Sequence, residues 1–205
     1  MPIAFRDAAD LDDLGLAAYL HVERSVRGST YLGALFTVNA RGEPIELVYN
    51  ALETPHPLLW RPADLRRHAE RRLTTSLLSV AESAPRLLFC LADEVGVELF
   101  AQDVEVALPV GRVDRPADVG HRSANAPRQS ADAARPAPSD RDAEPRSLPA
   151  IAGSVHVVWQ PAPPAEHSPE RALFEQLSAR GLLLEPFDRA SDALREIYGP
   201  RETDA

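Results

Sequence analysis

Between Val113 and Pro149 the chain offers a hydrophobic core almost nothing. No aromatic residue occurs there, two valines and one leucine are the only large aliphatic side chains, and proline, alanine, serine, aspartate and arginine dominate. Such a segment cannot bury enough apolar area to offset the entropy lost on ordering it, so it is expected to be a disordered linker. The constraint falls on what flanks it. Ser154-Val155-His156-Val157-Val158-Trp159 is too apolar to stand alone and has to complete a sheet begun before the linker. The expected organisation is a β-rich α/β body over 1–112, a Pro/Ala/Arg/Asp-rich linker over 113–149, and one strand with two helices over 150–205 that complete the same body.

Local patterns fill in that body. Residues 19–24 read as a strand, with a helix starting near Asp12 as the alternative. Residues 31–38 and 45–50 are rich in β-branched and aromatic side chains and flank the turn Asn39-Ala40-Arg41-Gly42-Glu43-Pro44, where Gly42 suits a positive φ. Pro62 fits the first position of a helix from 63 to about 81, whose apolar face is Leu65, Ala69, Leu73, Leu77 and Val80. Residues 86–92 form a near-continuous apolar run, as in a strand buried on both faces. A short helix over 94–101 and a strand over 104–110 follow. After the linker come the strand near 154–159, a helix capped by Ser168 and closed by Gly181, and a last helix from about Phe187 to Tyr198. The expected fold is α/β (α+β as the alternative), a single mixed β-sheet flanked by helices and interrupted by a long insertion.

All 22 basic residues are arginine. A lysine-free chain lacks the Walker A lysine, the Schiff-base amine and the kinase strand lysine. It also lacks the cation of nuclease cores that end in a Glu-x-Lys pair. No Gly-x-Ser-x-Gly elbow, Ser-x-x-Lys or glycine-rich phosphate loop occurs, and the histidines show no zinc-ligand spacing. No cofactor and no metal is expected. Cys90 is the sole cysteine and lies in an apolar run, as a buried small hydrophobe would. With no disulfide, no membrane-length apolar stretch and an N-terminus that turns acidic at Asp7, a cytoplasmic location is expected and no membrane contact.

The net charge of −9 is unevenly spread: residues 61–86 carry six arginines against three acids, whereas 87–111 carry five acids and no base. Arg61, Arg66, Arg67, Arg71 and Arg72 therefore form a cationic helix flank, a candidate contact for an acidic partner or phosphate backbone. The alternative is a solvated helix face. Trp60 beside them could stack on a base but suits a core anchor better. Asp93 and Glu94 follow the buried strand, where open α/β sheets place ligand-binding groups. With His21 or Glu23, which share one side if 19–24 is a strand, they are the candidate catalytic residues. Helix capping by Asp93 is the simpler alternative.

The missing motifs lead to one expectation above the others: a non-catalytic accessory subunit of a bacterial multi-protein system, with a protein partner and nucleic-acid processing or defence as its setting. Two alternatives remain. One is a small metal-dependent hydrolase or nuclease using Asp93 and Glu94; the other is a nucleic-acid-binding module using the Arg61–Arg72 face.

Overall fold

The computed structural model describes residues 2–4, 14–25, 30–54, 59–115, 147–149 and 155–199. Among the described residues eight strands form one mixed sheet: β1 (Pro2–Ala4), β2 (Leu16–Arg24), β3 (Thr30–Asn39), β4 (Pro44–Glu53), β5 (Leu87–Leu91), β6 (Val110–Asp114), β7 (Ser147–Pro149) and β8 (His156–Gln160). Three α-helices among those residues, α1 (Pro62–Val80), α2 (Pro169–Ala179) and α3 (Glu185–Tyr198), cover it. The spatial order is β1-β4-β3-β2-β5-β6-β8-β7. β2, β3 and β4 form an antiparallel meander, while β5 pairs in parallel with both β2 and β6. β8 lies antiparallel against β6, in the same sheet as the strands before residue 116.

Alternation along the central strands feeds two cores. Ala17 and Tyr19 of β2 and Leu87, Phe89 and Leu91 of β5 face α2 and α3, where Trp159, Phe174 and Phe187 fill the layer. Ala18, Leu20, Leu88 and Cys90 face α1 through Leu65, Ala69, Leu73 and Leu77. β5 is buried along its whole length, as its unbroken apolar run requires. Burial pushes the Cys90 thiol up to about 12, so it behaves as an inert small hydrophobe.

The turn between β3 and β4 is built as its residues dictate. The Asn39 side-chain oxygen accepts the Arg41 and Glu43 N–H groups at 2.8 and 3.1 Å, and Gly42 takes φ +82°. Ser168 caps α2 by accepting the Arg171 N–H at 3.1 Å, with Pro169 at the first position and Gly181 just past the end at φ +73°.

Several local expectations are corrected. Residues 104–109 are not a strand; β6 starts at Val110. Val104, Val106 and Leu108 do alternate, but as half-buried side chains of an irregular segment packed against the α1 face. The expected helix over 94–101 is displaced to a single π-type turn at Leu99–Asp103. Residues 182–184, which read as a short strand or a packed connection, form a turn whose leucines pack on the α2–α3 side of the sheet. Val80 ends α1 largely exposed, and Glu70 is buried in its place on that face. Of the expected linker over 113–149, Val113 and Asp114 belong to β6 and Ser147–Pro149 to β7; residues 116–146 lie outside the described residues, as do His56 and His121. No helix among the described residues is long and apolar enough to cross a membrane.

Candidate functional site

β2 is the strand at which chain connections change direction: the meander leads away on one side, and β5 returns on the other. The carboxyl ends of parallel strands at such a point form a natural crevice. His21 and Glu23 stand near the end of β2 on the side facing α3, and Glu94 follows β5. His21 Nδ1 lies 2.7 Å from Glu94 Oε2, and His21 Nε2 lies 3.2 Å from Glu23 Oε2. A neutral imidazole has one N–H, so only the doubly protonated ring donates to both carboxylates. Burial of the ring, which is 3% exposed, opposes that charge. The hydrogen bonds and charges of Glu94 and then Glu23 outweigh it, so the His21 pKa lies above its ordinary value.

Further groups tie this trio to its surroundings. The Val22 N–H donates to Glu94 Oε2 at 3.4 Å, and the Ser191 hydroxyl of α3 donates to Glu23 Oε2 at 3.3 Å. The Arg115 guanidinium sits 3.6 Å from Glu94 Oε1 and 3.8 Å from Asp188 on α3. Arg66 reaches across from α1 and donates to the carbonyls of Asp93 and Glu94, both at 2.7 Å. Beneath this loop the buried Arg112 donates to the Ala92 carbonyl at 3.2 Å. Glu23 is 28% exposed and Glu94 16%, so water reaches the carboxylates but scarcely the imidazole.

Of the four candidate catalytic residues, the structure brings His21, Glu23 and Glu94 together and leaves Asp93 out. The Asp93 side chain is exposed, and its backbone carbonyl is what the neighbouring arginine binds. Arg115, Ser191 and Asp188 were missed because nothing in their local sequence marks them. They reach the site only through the pairing of β6 with β5 and the packing of α3.

The trio does not fit a divalent cation. A metal needs several lone pairs converging on one point, whereas here an imidazole ring stands between the two carboxylates and occupies a lone pair on each. Among the described residues no group of three or more His, Cys, Asp or Glu could hold a metal ion.

The arginine flank divides into two sets. Arg66 pairs with buried Glu70 at 2.6 Å, and Arg67 with Asp103 and Glu98, both at 2.7 Å. Hydrogen bonding to Asp103 holds the Arg67 pKa above its usual value and that of Asp103 below it. Arg61, Arg71 and Arg72 are exposed and form no ion pair among the described residues. Trp60 is 38% exposed rather than a core anchor.

No protein-family model matches the sequence, and no curated protein matches it. Among solved structures, the fold is similar to Endonuclease V from Streptomyces avermitilis. The identity is 17% over 90% of this chain and 83% of that one, with a TM-score of 0.53. Endonuclease V from Bacillus subtilis is also similar, at 12% identity over 89% and 81%, with a TM-score of 0.49. At this identity the likeness to the Streptomyces protein shows the fold alone. That protein is named as an endonuclease, and the likeness goes against the expectation of a non-catalytic accessory subunit. The signatures absent from the sequence serve lysine, phosphate-loop and serine chemistry. Carboxylates brought together from separate strands leave no such signature.

Proposed function

We propose that this chain hydrolyses the phosphodiester backbone of nucleic acid, with the reaction centred on His21, Glu23 and Glu94. The observation that carries the reading is the convergence of these three titratable side chains at the carboxyl ends of β2 and β5. They meet at the switch point of a fold shared with Endonuclease V from Streptomyces avermitilis.

Each group has a role its position allows, that of Glu23 being to hold the far nitrogen of the His21 ring. Glu94 accepts a proton from the attacking water, whose oxygen then bonds to phosphorus as the bond to the leaving oxygen breaks; that oxygen is protonated from solvent. The imidazolium of His21 fixes the orientation of both carboxylates and is itself a positioning residue, since it is too buried to meet substrate. Arg115, 44% exposed beside Glu94, offers a fork to the phosphoryl oxygens. No step is assigned to a metal, for which the trio is unsuited.

The test is strand cleavage. Full-length protein incubated with end-labelled single-stranded and duplex DNA and RNA, with EDTA or with added magnesium or manganese, is expected to shorten the label in both conditions. Glu94→Gln is expected to lower the initial rate by about a hundredfold or more while the protein still folds. No cleavage of any substrate in any condition overturns the function, and cleavage only with added metal overturns the metal-free assignment.

A further inference from the structure

We infer that the outer face of α1 is a binding surface for single-stranded nucleic acid, with Trp60 as a base-stacking platform and Arg61, Arg71 and Arg72 as phosphate contacts. The inference rests on the preceding reading only for the identity of the polyanion; its surface lies on the opposite side of the sheet from the His21 trio.

The starting point is an exposed aromatic ring in an unusual place. Leu59 and Trp60, at the entrance to α1, are 84% and 38% exposed. One side of the indole is supported by the His68 ring, with centroids 5.2 Å apart and planes inclined at 45°. Trp60, Asp64, Arg67, His68, Arg71 and Asp103 line a groove, and Arg71 is shared with a second groove along α1 that contains Arg72, Thr75, Ser76 and Asn50. An indole that rests against His68 and is 38% exposed offers part of its π-face to any base, and stacking of that kind is tolerant of sequence. A duplex hides its base faces, so the platform selects an unpaired strand.

Charge sorts the arginines in the same direction. Arg66 and Arg67 are bound to Glu70, Asp103 and Glu98 and serve the fold, whereas Arg61, Arg71 and Arg72 keep their donors free of ion pairs among the described residues. The whole chain carries −9, so arginines without an ion pair along the two adjoining grooves, Arg71 in both and beside the exposed indole in one, are a local departure from the repulsion a nucleic acid meets elsewhere on the molecule. Arginine next to an aromatic platform is a chemistry suited to a strand, with forks on phosphates and rings on bases.

Fluorescence tests this directly, because the other tryptophan, Trp159, is buried at 1% exposure and only Trp60 can meet a ligand. Oligothymidylate of about fifteen nucleotides is expected to quench the full-length protein, with an affinity that falls steeply as salt rises. Arg71→Glu combined with Arg72→Glu should weaken binding about tenfold or more and flatten the salt dependence. Trp60→Ala should weaken binding about tenfold, with Trp60→Phe recovering part of it. A hairpin duplex of the same length is expected to bind more weakly. Absence of quenching, equal affinity for the duplex, or binding unaffected by the charge reversals overturns the inference, as does tighter capture of a polyglutamate peptide. Binding with these properties but no cleavage would support this surface while refuting the proposed hydrolysis. Cleavage by a protein that shows no quenching by oligothymidylate would do the reverse.

Discussion

Neutral imidazole leaves one of the two carboxylates beside His21 facing a lone pair, and this gives the protein a predictable pH response. The pKa of His21 is raised in the folded state. The stability it adds is therefore fully present below its ordinary value of 6.5 and is lost as pH rises through the folded value. Thermal midpoints measured from acid to alkaline pH should decline above that ordinary value, and the decline should shrink in His21→Gln. An identical pH profile in wild type and variant would contradict the doubly protonated assignment. Glu46 behaves in the opposite sense. This buried carboxylate accepts the N–H groups of Glu82 and Ser83, both at 2.9 Å, and the Ser83 hydroxyl. Burial opposes its charge, but these donors prevail and hold its pKa below the usual range. Its contribution is present above the ordinary carboxylate value and is lost as pH falls. Glu46→Gln turns an amide N–H₂ toward groups that are themselves donors and should cost about 1–3 kcal/mol in denaturant titration.

At the scale of elements, the same Glu46 contacts pin the chain leaving α1 to β4, and Glu70 pins its other half to the loop after β5 by accepting the Gly96 N–H at 2.9 Å. Helix position is thus set by buried carboxylates as well as by the leucine stripe. This explains what the sequence could and could not disclose. β3, β4, β5 and α1 were legible because hydrophobic period follows from which face is buried. β6 was not, because Gly111, Arg112 and Asp114 interrupt the strand-like pattern that Val110 and Val113 alone would give. Gly111 is required there because a Cβ would lie 2.8 Å from the Phe89 ring, and Arg112 is buried against the loop after β5. Both causes are tertiary. The site was half legible for a similar reason. His21 and Glu23 share a face by strand alternation, and Glu94 follows an apolar strand, but only the parallel pairing of β2 with β5 joins them. Asp93, its neighbour in sequence, points away because successive residues in a turn do not share a direction.

Across the whole molecule, the residues before and after 116–146 depend on each other. β8 covers the edge of β6, and Trp159, Phe174 and Phe187 bury the face of Tyr19 and Phe89. Each large side chain in that layer contributes roughly 1.5–3 kcal/mol by burial, so that the layer as a whole is comparable to the net stability of an ordinary domain. A chain ending at Arg115 should therefore lose its near-ultraviolet dichroism and bind a hydrophobic dye. A native-like spectrum from that truncation would mean that the first part folds alone.

The position of β2 in the middle of the sheet also sets an order of events during synthesis. Its partner β3 follows after a short connection, whereas β5 arrives only after β4 and α1, and β8 arrives last. Local hairpins close fastest, because little chain entropy opposes them. The meander can thus assemble as it leaves the ribosome, with one side soon sheltered by α1. The other side, carrying Tyr19, Phe36 and Phe89, stays uncovered until α2 and α3 emerge. During that interval the nascent chain presents a wide apolar sheet to its surroundings, and the late-arriving helices are what closes it off.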